Sequence, residues 1–445
     1  MSVKNLDDLK LLIVIPAIRK ARGFFDRIVT KATLWKPITA YQIASLSKRC
    51  KIKIIDENYE KIKYSSNFDL VAISAFTATA FRAYEIADEF MKRGVKVMLG
   101  GYHPSALPLE AKQHADAVVI GNAEGIWNKV LEDAAKDDLK PFYFSLPLEY
   151  IASPAARKGF MVGIEATRGC PYRCKFCSIS NSHIGCNYVK KPIGRVIKEI
   201  KMAGKYFIFY DSSLTIDMKY TKELFRRLIH LNKKFACFGN INMLAADEEL
   251  LRLASEAGCV AWAVGMETFS QDALTEAGKK NDLGKYKRAV SLVKDYGMNV
   301  IASLVFGFDN DDASVFSNTL ERLYELDVDS IGVNILTPFP GTPLFEKLNN
   351  EHRILTHDWE KYDLYHVVYM PKRMSPWELL EGTKWMVEQF FSYRNIFDKF
   401  FKKSGIISKF SLLYHMIGSR LVYSGAFETA LKNIKMDFQY KLQID

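Results

Sequence analysis

The chain has 445 residues, of which 49% are hydrophobic and 25% charged, and its formal net charge is +11. This length allows two or three domains, each with its own core. The positive charge is not gathered in one long basic run, so binding to nucleic acid is not indicated. The first apolar run is too short for a signal peptide, and no apolar stretch is long enough to span a bilayer. We therefore expect a protein of the cytoplasm, where cysteines stay reduced.

The first 140 residues alternate apolar runs with helical stretches. The apolar runs are LKLLIVIP, CKIKIIDE, FDLVAISAF, VKVMLGG and ADAVVIGNAE. Continuous β-branched runs separated by helices predict a parallel sheet that is covered on both faces. The pattern therefore predicts a doubly wound, Rossmann-like α/β domain over residues 1–140.

Small residues stand where these predicted strands end. Ser74 follows the third run, Gly100 and Gly101 follow the fourth, and Gly121 follows the fifth. Ligands of such sheets bind at the carboxyl ends of the strands, and glycine permits a close approach of the backbone. The four residues together predict a nucleotide- or cofactor-binding face, although glycines also simply end strands.

The rhythm is interrupted at residues 141–160, which contain three prolines and are interpreted as a linker. A second series of strand–helix units, about six in number, covers residues 161–350. A closed barrel of this kind needs more units, so the series predicts a partial (β/α)6 TIM barrel that is open on one side. Residues 351–445 predict a smaller helical C-terminal region.

Three cysteines stand within eight residues, in the sequence TRGCPYRCKFCSIS. They are Cys170, Cys174 and Cys177, in the loop after the first strand of the second series. A structural zinc site usually takes four ligands in two separated pairs, and the other cysteines, at positions 50, 186, 237 and 259, are scattered. Three thiolates can instead hold three irons of a cubane cluster and leave the fourth iron open to a substrate or cofactor. Zinc binding, or a fortuitous group of thiols, is the alternative.

The spacing C-x3-C-x2-C, with Phe176 before the last cysteine, resembles that of the radical S-adenosylmethionine (SAM) superfamily. The resemblance implies that the three cysteines bind a [4Fe–4S] cluster and that the methionine moiety of SAM chelates the open iron. One electron from the cluster would then cleave SAM to a 5′-deoxyadenosyl radical. An external electron donor, such as flavodoxin or ferredoxin, is therefore expected.

Two later segments extend the resemblance to residues around SAM. The sequence YDSSLT is similar to the acidic turn after the second barrel strand, which implies a cofactor-binding role for Asp211, although Ser212 stands where many relatives carry a second acid. The sequence VGMET implies that Glu267 bonds to the ribose or amino group of SAM. A strand-end carboxylate that faces solvent is the alternative for Glu267.

Two further segments resemble the last strands of the barrel. The sequence VIASLVFGFDND is similar to the segment near the adenine of SAM, where Gly307 would allow a close approach. The sequence PFPGTPLF, at 338–345, resembles a loop that is typical of cobalamin-dependent members.

The N-terminal domain is similar to the cobalamin-binding domain of one large subclass of the superfamily. Trp35-Lys36-Pro37 occupies the place of a proline-rich turn in that subclass, and the other matching positions are Gly100, Gly101, His103, Pro104, Gly121 and Glu124. The loop that in other cobalamin proteins supplies a histidine to cobalt is replaced by PAIRKARGFFD. His103 is interpreted as fixing its loop by hydrogen bonding rather than as a cobalt ligand. Cobalamin is thus the third expected cofactor, unless the domain has lost it.

These resemblances imply an enzyme that methylates an unactivated carbon with cobalamin as the methyl carrier. Radical cyclisation, oxidation or carbon–carbon coupling, without use of cobalamin, is the alternative within the superfamily. A non-catalytic iron–sulfur protein, such as a redox sensor or an electron carrier, is the alternative from another class. A carrier would need neither a six-strand scaffold nor a glycine-lined second domain.

The C-terminal region suggests the kind of substrate and a possible location. Aromatic residues are frequent over 359–401, which suggests a large apolar substrate such as a lipid, an isoprenoid or a tetrapyrrole, with core packing as the alternative. Residues 391–445 hold nine Lys or Arg against four Asp or Glu, interleaved with aromatic and aliphatic residues. Such a segment either packs on its own domain or lies on an anionic membrane surface. Peripheral membrane association without insertion is therefore a further expectation.

Overall fold

The computed structural model describes residues 4–18, 38–155, 161–402 and 406–441. The strands are β1 Lys10–Ile15, β2 Lys51–Asp56, β3 Leu70–Ser74, β4 Lys96–Gly100, β5 Ala117–Ile120, β6 Phe142–Phe144, β7 Met161–Ile164, β8 Thr167–Arg168, β9 Val189–Lys190, β10 Tyr206–Phe209, β11 Lys234–Gly239, β12 Cys259–Glu267, β13 Asn299–Phe306 and β14 Ser330–Ile335. The α-helices are Ile38–Leu46, Ala80–Met91, Tyr102–Ala106, Pro108–Lys112, Trp127–Ala135, Ser178–Asn181, Ile193–Met202, Met218–Leu228, Ile241–Ala246, Glu248–Ala257, Gln271–Glu276, Tyr286–Asp295, Ser314–Glu325, Pro343–Asn350, Pro376–Phe390, Tyr393–Lys402 and Ile406–Lys441. Within these ranges, no helix combines the length and the apolar character needed to cross a membrane.

The first sheet has six parallel strands in the order β2-β1-β3-β4-β5-β6. Its inner strand β1 is buried from Leu11 to Ile15, whereas the edge strand β2 alternates between half-buried and exposed residues over its first part. Apolar side chains on both sides of the sheet pack against helices, which is why the inner strands read as continuous apolar runs. The predicted doubly wound α/β domain is confirmed. The segment 141–160, predicted as a linker, begins with β6, which pairs with β5, so the first sheet extends further along the chain than the sequence indicated.

The second sheet also has six parallel strands, in the order β14-β13-β12-β11-β10-β7. Each strand pairs with the next one in the chain, apart from the short hairpin β8–β9 that lies outside this sheet. Strands β7 and β14 form its two edges, so the sheet is open, as predicted for a partial (β/α)6 barrel.

The C-terminal region, predicted to be helical over 351–445, is α-helical only from residue 376, because residues 351–375 form loops with one 3-10 turn, Trp359–Lys361, and an isolated bridge between Ile354 and Tyr369. The helix Pro376–Phe390 begins with a capping box, in which the Ser375 hydroxyl and the Glu378 carboxylate each accept a hydrogen bond from the other residue's backbone N–H. The long helix Ile406–Lys441 then covers the edge strand β14. The Tyr423 hydroxyl accepts a hydrogen bond from the Val333 backbone N–H at 2.6 Å, so the helix satisfies a backbone donor at the sheet edge.

Buried polar side chains join the two sheets at their carboxyl ends. Arg168, in the hairpin after β7, donates to the Glu124 carboxylate at 2.7 Å and to the Asn122 side chain at 3.0 Å, both of which follow β5. Gln42 donates to the Glu165 carboxylate at 2.6 Å, and Glu165 also accepts two hydrogen bonds from Arg168. The carboxyl edges of the two sheets therefore face each other.

Asp211 holds the end of β7 from the neighbouring strand β10. Its carboxylate is buried and accepts hydrogen bonds from the backbone N–H groups of Ala166 and Thr167 and from the Thr167 hydroxyl. Burial raises the pKa of Asp211 to about 7, against the effect of these hydrogen bonds.

This pKa predicts a pH dependence of stability. The pKa in the folded state lies above the unfolded value of about 4, so between the two values the folded chain binds a proton that the unfolded chain does not. The contribution of Asp211 to the free energy of unfolding should therefore fall as the pH rises from 5 towards 8. The variant Asp211→Asn removes this titration. We expect its urea-unfolding midpoint to vary less between pH 5 and pH 8 than that of the wild type, and an unchanged slope would contradict the raised pKa.

Candidate active site

The three predicted cluster cysteines lie in one loop that a short hairpin closes. Strands β8 and β9 pair antiparallel on either side of the loop, and the Cys170 backbone N–H donates to the Gly185 carbonyl at 2.9 Å. Gly169 has a φ of +88°, and a Cβ at this residue would lie 1.9 Å from the Asn187 carbonyl oxygen. Only glycine therefore fits the turn that leads into the first cysteine.

The side chain of Asn181 fixes the second half of the loop. Its amide donates to the carbonyl oxygens of Cys174 and Cys177, each at 2.8 Å. Cys174 is buried, and burial raises the pKa of its thiol to about 11, whereas the nearby Lys279 opposes the shift. Burial also raises the pKa of Cys170. Without a bound metal these thiols would be protonated at neutral pH, and metal binding would release their protons.

The three thiols belong to one short loop. In the part of the chain that the structure describes, no three Cys, His, Asp or Glu side chains form a group that could hold a single metal ion. In a cubane cluster each thiolate would bind a different iron. Cys186, the nearest other cysteine along the chain, is anchored by its backbone N–H to the Ser182 carbonyl at 3.1 Å.

A half-buried lysine, Lys279, lies near the cysteine loop, next to Glu267 at the end of β12. Lys279 forms an ion pair of 2.8 Å with the Glu267 carboxylate. Burial alone would lower the pKa of Lys279, but Glu267 and the thiols of Cys174 and Cys177 outweigh burial and raise it. The lysine therefore supplies positive charge where three thiolates would be anionic.

Glu267 itself lies on a strained backbone. Its φ is +66°, and the pairing of β12 with β13 shifts register beside it. Such a conformation costs about 1–3 kcal/mol in a residue other than glycine and is concentrated at functional sites. Glu267 is buried rather than directed to solvent, which contradicts the alternative of a solvent-facing carboxylate. Its role towards SAM stays a prediction.

Two other predicted SAM-site residues make contacts within the protein. The hydrogen bonds of the Asp211 carboxylate go to Ala166 and Thr167, as described above. Gly307 has a φ of +107°, and a Cβ there would lie 2.2 Å from the Tyr369 hydroxyl. The space beside Gly307 is thus filled by a tyrosine on that side, so packing alone accounts for the glycine.

A cavity inside the first domain collects most of the predicted cofactor-binding residues. This domain cavity lies between the sheet and the helix Ile38–Leu46, and its walls include Ser74, Gly100, Gly101, Gly121 and Glu124. The rest of the wall is largely apolar, with side chains from β1, β3, β4 and β5, and the second half of the chain closes it with Glu165, Arg168 and Ile184. A largely apolar cleft of about 180 Å³ at the carboxyl edge of a doubly wound sheet suits one arm of a large cofactor such as cobalamin rather than the whole molecule. The assignment of each residue to the cofactor stays a prediction.

The three glycines of this cavity differ in whether their backbone conformation and surroundings would tolerate a side chain. Gly101 has a φ of +102° and its Cβ would lie 2.7 Å from the Ala75 carbonyl oxygen, and Gly121 has a φ of +94° with its Cβ 2.1 Å from the Ser145 hydroxyl oxygen. Gly100 has no such strain, because its Cβ would make ordinary contacts, the nearest at 3.6 Å from Val119. The backbone therefore requires Gly101 and Gly121, but not Gly100.

His103 and Glu124 both make polar contacts within the protein. His103 is fully buried, its Nε2 lies 3.2 Å from the Glu110 carboxylate, and it does not belong to the described walls of the domain cavity. This contact agrees with the interpretation of His103 as a residue that fixes its loop, and its place among the cofactor-binding residues stays a prediction. Glu124 borders the domain cavity, but its carboxylate is the partner of Arg168 across the junction. Trp35-Lys36-Pro37, and the predicted loop PAIRKARGFFD beyond Ile18, lie outside the described residues.

A second cavity lies between the two sheets and is called the central cavity. The first domain contributes Phe76 to Thr79 after β3 and Tyr102 after β4. The cysteine loop contributes residues just after Cys177, among them Asn181 and His183. The far wall consists of Phe339, Pro340 and Gly341, from the predicted PFPGTPLF loop, and of residues 362–364. The two halves and the C-terminal region thus meet around one space.

Sequence reasoning missed the charged residues that hold this site together. Arg168 stands two residues before Cys170, and Lys279 stands in the stretch GKKN, where nothing in the spacing distinguishes it from a surface lysine. The only available signal for Arg168 was its place beside the cysteine motif. Contacts between residues that are over forty positions apart, such as Arg168 with Glu124, require the tertiary structure.

Comparisons with known proteins agree with this geometry. A model of the radical SAM superfamily matches residues 164–323, and a model of the B12 binding domain matches residues 43–131. The bacteriochlorophyllide d C-12(1)-methyltransferase of Chlorobaculum tepidum is 30% identical over 379 residues, which are 80% of this chain and 82% of the relative. The bacteriochlorophyllide d C-8(2)-methyltransferase of the same organism is 31% identical, over 73% of this chain and 78% of the relative.

More distant proteins share the fold or part of the sequence. The anaerobic magnesium-protoporphyrin IX monomethyl ester cyclase of Cereibacter sphaeroides is 24% identical, over 77% of this chain and 63% of the relative. The radical SAM methyltransferase TsrM of Kitasatospora setae, solved with cobalamin and a [4Fe–4S] cluster, aligns with a TM-score of 0.62 at 15% identity, over 77% of this chain and 78% of TsrM. The cobalamin-dependent radical enzyme OxsB aligns with a TM-score of 0.64 at 13% identity, over 94% of this chain and 72% of OxsB.

The paired domains exclude the alternative of a simple iron–sulfur carrier, which has no use for a B12-binding domain. The chain belongs to the radical SAM superfamily, in the subclass that carries a cobalamin-binding domain, and is a cobalamin-dependent radical SAM methyltransferase whose cofactors are a [4Fe–4S] cluster, SAM and cobalamin.

Proposed function

We propose that this enzyme methylates a peripheral carbon of a tetrapyrrole. Two relatives that are 30% and 31% identical are named as methyltransferases of a bacteriochlorophyllide, and the cyclase relative is named for a magnesium protoporphyrin ester. A tetrapyrrole is one of the three large apolar substrate classes that the aromatic C-terminal region suggests. Lipids and isoprenoids are the other two.

The observation that carries the proposal is the central cavity. It takes walls from the carboxyl edge of the cobalamin-binding domain and from the residues just after Cys177. When bound, the cluster supplies the electron that cleaves SAM to a carbon radical, and cobalamin supplies the methyl group. Both sources would therefore face the same space, as methylation of an unactivated carbon requires.

The side chains of the central cavity suit a flat, apolar ring system. Phe76 is half exposed and stacks on Tyr102, with ring centroids 5.9 Å apart and planes 16° from parallel. Phe339 lies half-buried on the far wall, and Tyr362, which also borders the cavity, is buried. Aromatic faces of this kind stack on planar ligands, and the walls exclude water from a radical that would otherwise be quenched.

Within this proposal, the protein's own residues hold the cofactors and orient them. Cys170, Cys174 and Cys177 would bind the cluster, with Lys279 offsetting their negative charge. Glu267 and Asp211 remain proposed SAM-site residues, and Gly307 a proposed adenine contact. Reduction of the cluster would come from an external donor such as flavodoxin or ferredoxin. The division of the chain at residues 160 and 350 also stays a proposal, as does membrane association, whereas the first domain extends beyond residue 140 to include β6.

Incubation of the reconstituted enzyme with candidate substrates tests the proposal. We expect a bacteriochlorophyllide-type tetrapyrrole, with SAM and a reductant under anaerobic conditions, to gain one CH2 unit by mass spectrometry. Both 5′-deoxyadenosine and S-adenosylhomocysteine should form, because one SAM supplies the radical and another the methyl group. A tetrapyrrole that gains a ring without a CH2 unit would instead indicate a cyclase, and methylation of an isoprenoid alone would contradict the substrate class.

The cysteine assignment predicts that variants of the three cluster cysteines lose the cluster and that variants of other cysteines keep it. Replacing Cys174 by Ala should abolish the brown colour, the iron content and SAM cleavage, because each of the three thiolates holds its own iron. The matched control is Cys186→Ala, in the same loop, which should keep about four irons per chain. Iron analysis and the assay for 5′-deoxyadenosine measure both. Loss of the cluster in Cys186→Ala would show that a fourth thiolate closes it.

The domain cavity predicts a variant that loses cobalamin but keeps iron. Gly100→Leu should fill the cavity without backbone strain, because a Cβ at this residue meets only ordinary contacts. We expect lower cobalamin retention after gel filtration, measured by absorbance, with an unchanged iron content. Gly101→Leu is the comparison variant for backbone strain. Because Gly101 has a positive φ and its Cβ would lie 2.7 Å from the Ala75 carbonyl oxygen, this variant should also have a lower unfolding midpoint. Full cobalamin retention in Gly100→Leu would place the cofactor elsewhere.

A further inference from the structure

The two last helices, Tyr393–Lys402 and Ile406–Lys441, present large apolar side chains to solvent. Eight of the 21 large hydrophobic side chains exposed in the described chain lie between residues 393 and 421. Phe401 is 72% exposed and Ile406 is 70% exposed. The six that are not tyrosines define what is here called the outer face: Phe397, Phe401, Ile406, Phe410, Ile417 and Leu421. A concentration of this kind marks an interaction surface.

The spacing in the long helix shows that the outer face is a second apolar side. Ile406, Phe410, Ile417 and Leu421 recur at four- and seven-residue steps, which places them on one side of an α-helix. Another side of the same helix is buried against the barrel and carries Leu412, Met416, Tyr423 and Phe427. Packing on the barrel thus accounts for the second set and leaves the first set unexplained.

The outer face ends abruptly within the helix. Beyond Leu421, the positions that continue the same side are Gly425, Glu428 and Lys432, all of them exposed. Over the same part of the helix, the inner side stays buried, with Ala426, Ala430 and Ile434. The apolar character is therefore confined to one patch rather than being a property of the whole helix.

Cations are frequent in the two segments that carry this patch, and two of them, Arg394 and Lys402, are exposed. Residues 391–402 and 406–421 hold five Lys or Arg, namely Arg394, Lys399, Lys402, Lys409 and Arg420, against the single acid Asp398. Lys399 is buried and donates to the Val328 carbonyl, which anchors the shorter helix to the barrel. Lys409 lies over the Phe400 ring at 5.5 Å, and Arg420 lies over the Tyr393 ring at 4.5 Å, so both cations lie where the two helices meet.

We propose that the outer face binds the surface of an anionic lipid bilayer. The two helices would lie in the plane of the membrane, with the apolar side chains at the acyl boundary and the cations at the lipid phosphates. A second copy of the chain is a poorer occupant, because face-to-face pairing would bring the two sets of cations together. This proposal concerns a surface apart from the central cavity and does not depend on the identity of the substrate.

Co-sedimentation of the full-length, cofactor-loaded enzyme with vesicles tests the proposal. We expect sedimentation with mixed phosphatidylglycerol and phosphatidylcholine vesicles at low salt, release at high salt because the attraction is screened, and little binding to phosphatidylcholine alone. Lys402→Glu should lower the partition coefficient at least about fivefold. Phe410→Ser should lower it about tenfold. Neighbouring Lys403 lies outside the described residues and is left unchanged.

Two control variants match these changes on other surfaces. Lys432→Glu reverses an exposed charge on the same helix beyond the patch, and Leu355→Ser removes an exposed apolar side chain far along the chain from it. Both should sediment like the wild type, and all four variants should keep the wild-type thermal midpoint. Equal binding to neutral and anionic vesicles, or no binding to either, would overturn the proposal. Self-association that Phe410→Ser abolishes, without vesicle binding, would assign the patch to a second copy instead.

Discussion

The largely buried guanidinium of Arg168 is a charged link between the two cofactor domains. Its side chain is 13% exposed and bridges Glu165, in its own domain, and Glu124, in the other. Removing one partner of a buried ion pair typically costs about 3–5 kcal/mol, because the remaining charge is left without compensation. The carboxyl edges of the two sheets are therefore held face to face before any ligand binds. Since Arg168 stands two residues before Cys170, the same contact also fixes the start of the cysteine loop relative to the cobalamin-binding domain.

The order of strands and helices could be predicted from the sequence because both sheets are parallel and buried. Inner strands such as β1 need apolar residues on both faces and therefore appear as unbroken runs. The six-strand count of the second sheet followed from the same pattern. The pattern failed at β6, which is only three residues long and lies between two prolines. An edge strand of this length buries too little surface to leave a clear signature, so it was interpreted as part of a linker.

The candidate site divides into residues that local sequence can identify and residues that it cannot. The three cysteines were identifiable because they lie in one loop, so their spacing can be read directly along the chain. Lys279 and Arg168 were not identifiable, because their partners come from other strands or from the other domain. Glycines were ambiguous for a physical reason. Gly101 is required by its own backbone and Gly307 has its side space filled by Tyr369, whereas Gly100 alone leaves room that a cofactor could use.

The long C-terminal helix connects the outer face with the central cavity. Its Asn433 lies 3.0 Å from the His366 ring nitrogen, and its Phe427 contacts the Tyr365 ring edge to face, with centroids 5.8 Å apart. Residues 362–364, which immediately precede these contacts, form part of the far wall of the cavity. The helix that we propose to lie on a membrane therefore also supports a wall of the space proposed for the substrate. A large apolar substrate that is poorly soluble in water would thus be met by a helix that also supports the site proposed to transform it. The aromatic and basic residues of the C-terminal region thus have two separable physical roles: the inner side packs on the barrel and supports the cavity, and the outer side is left for an anionic surface.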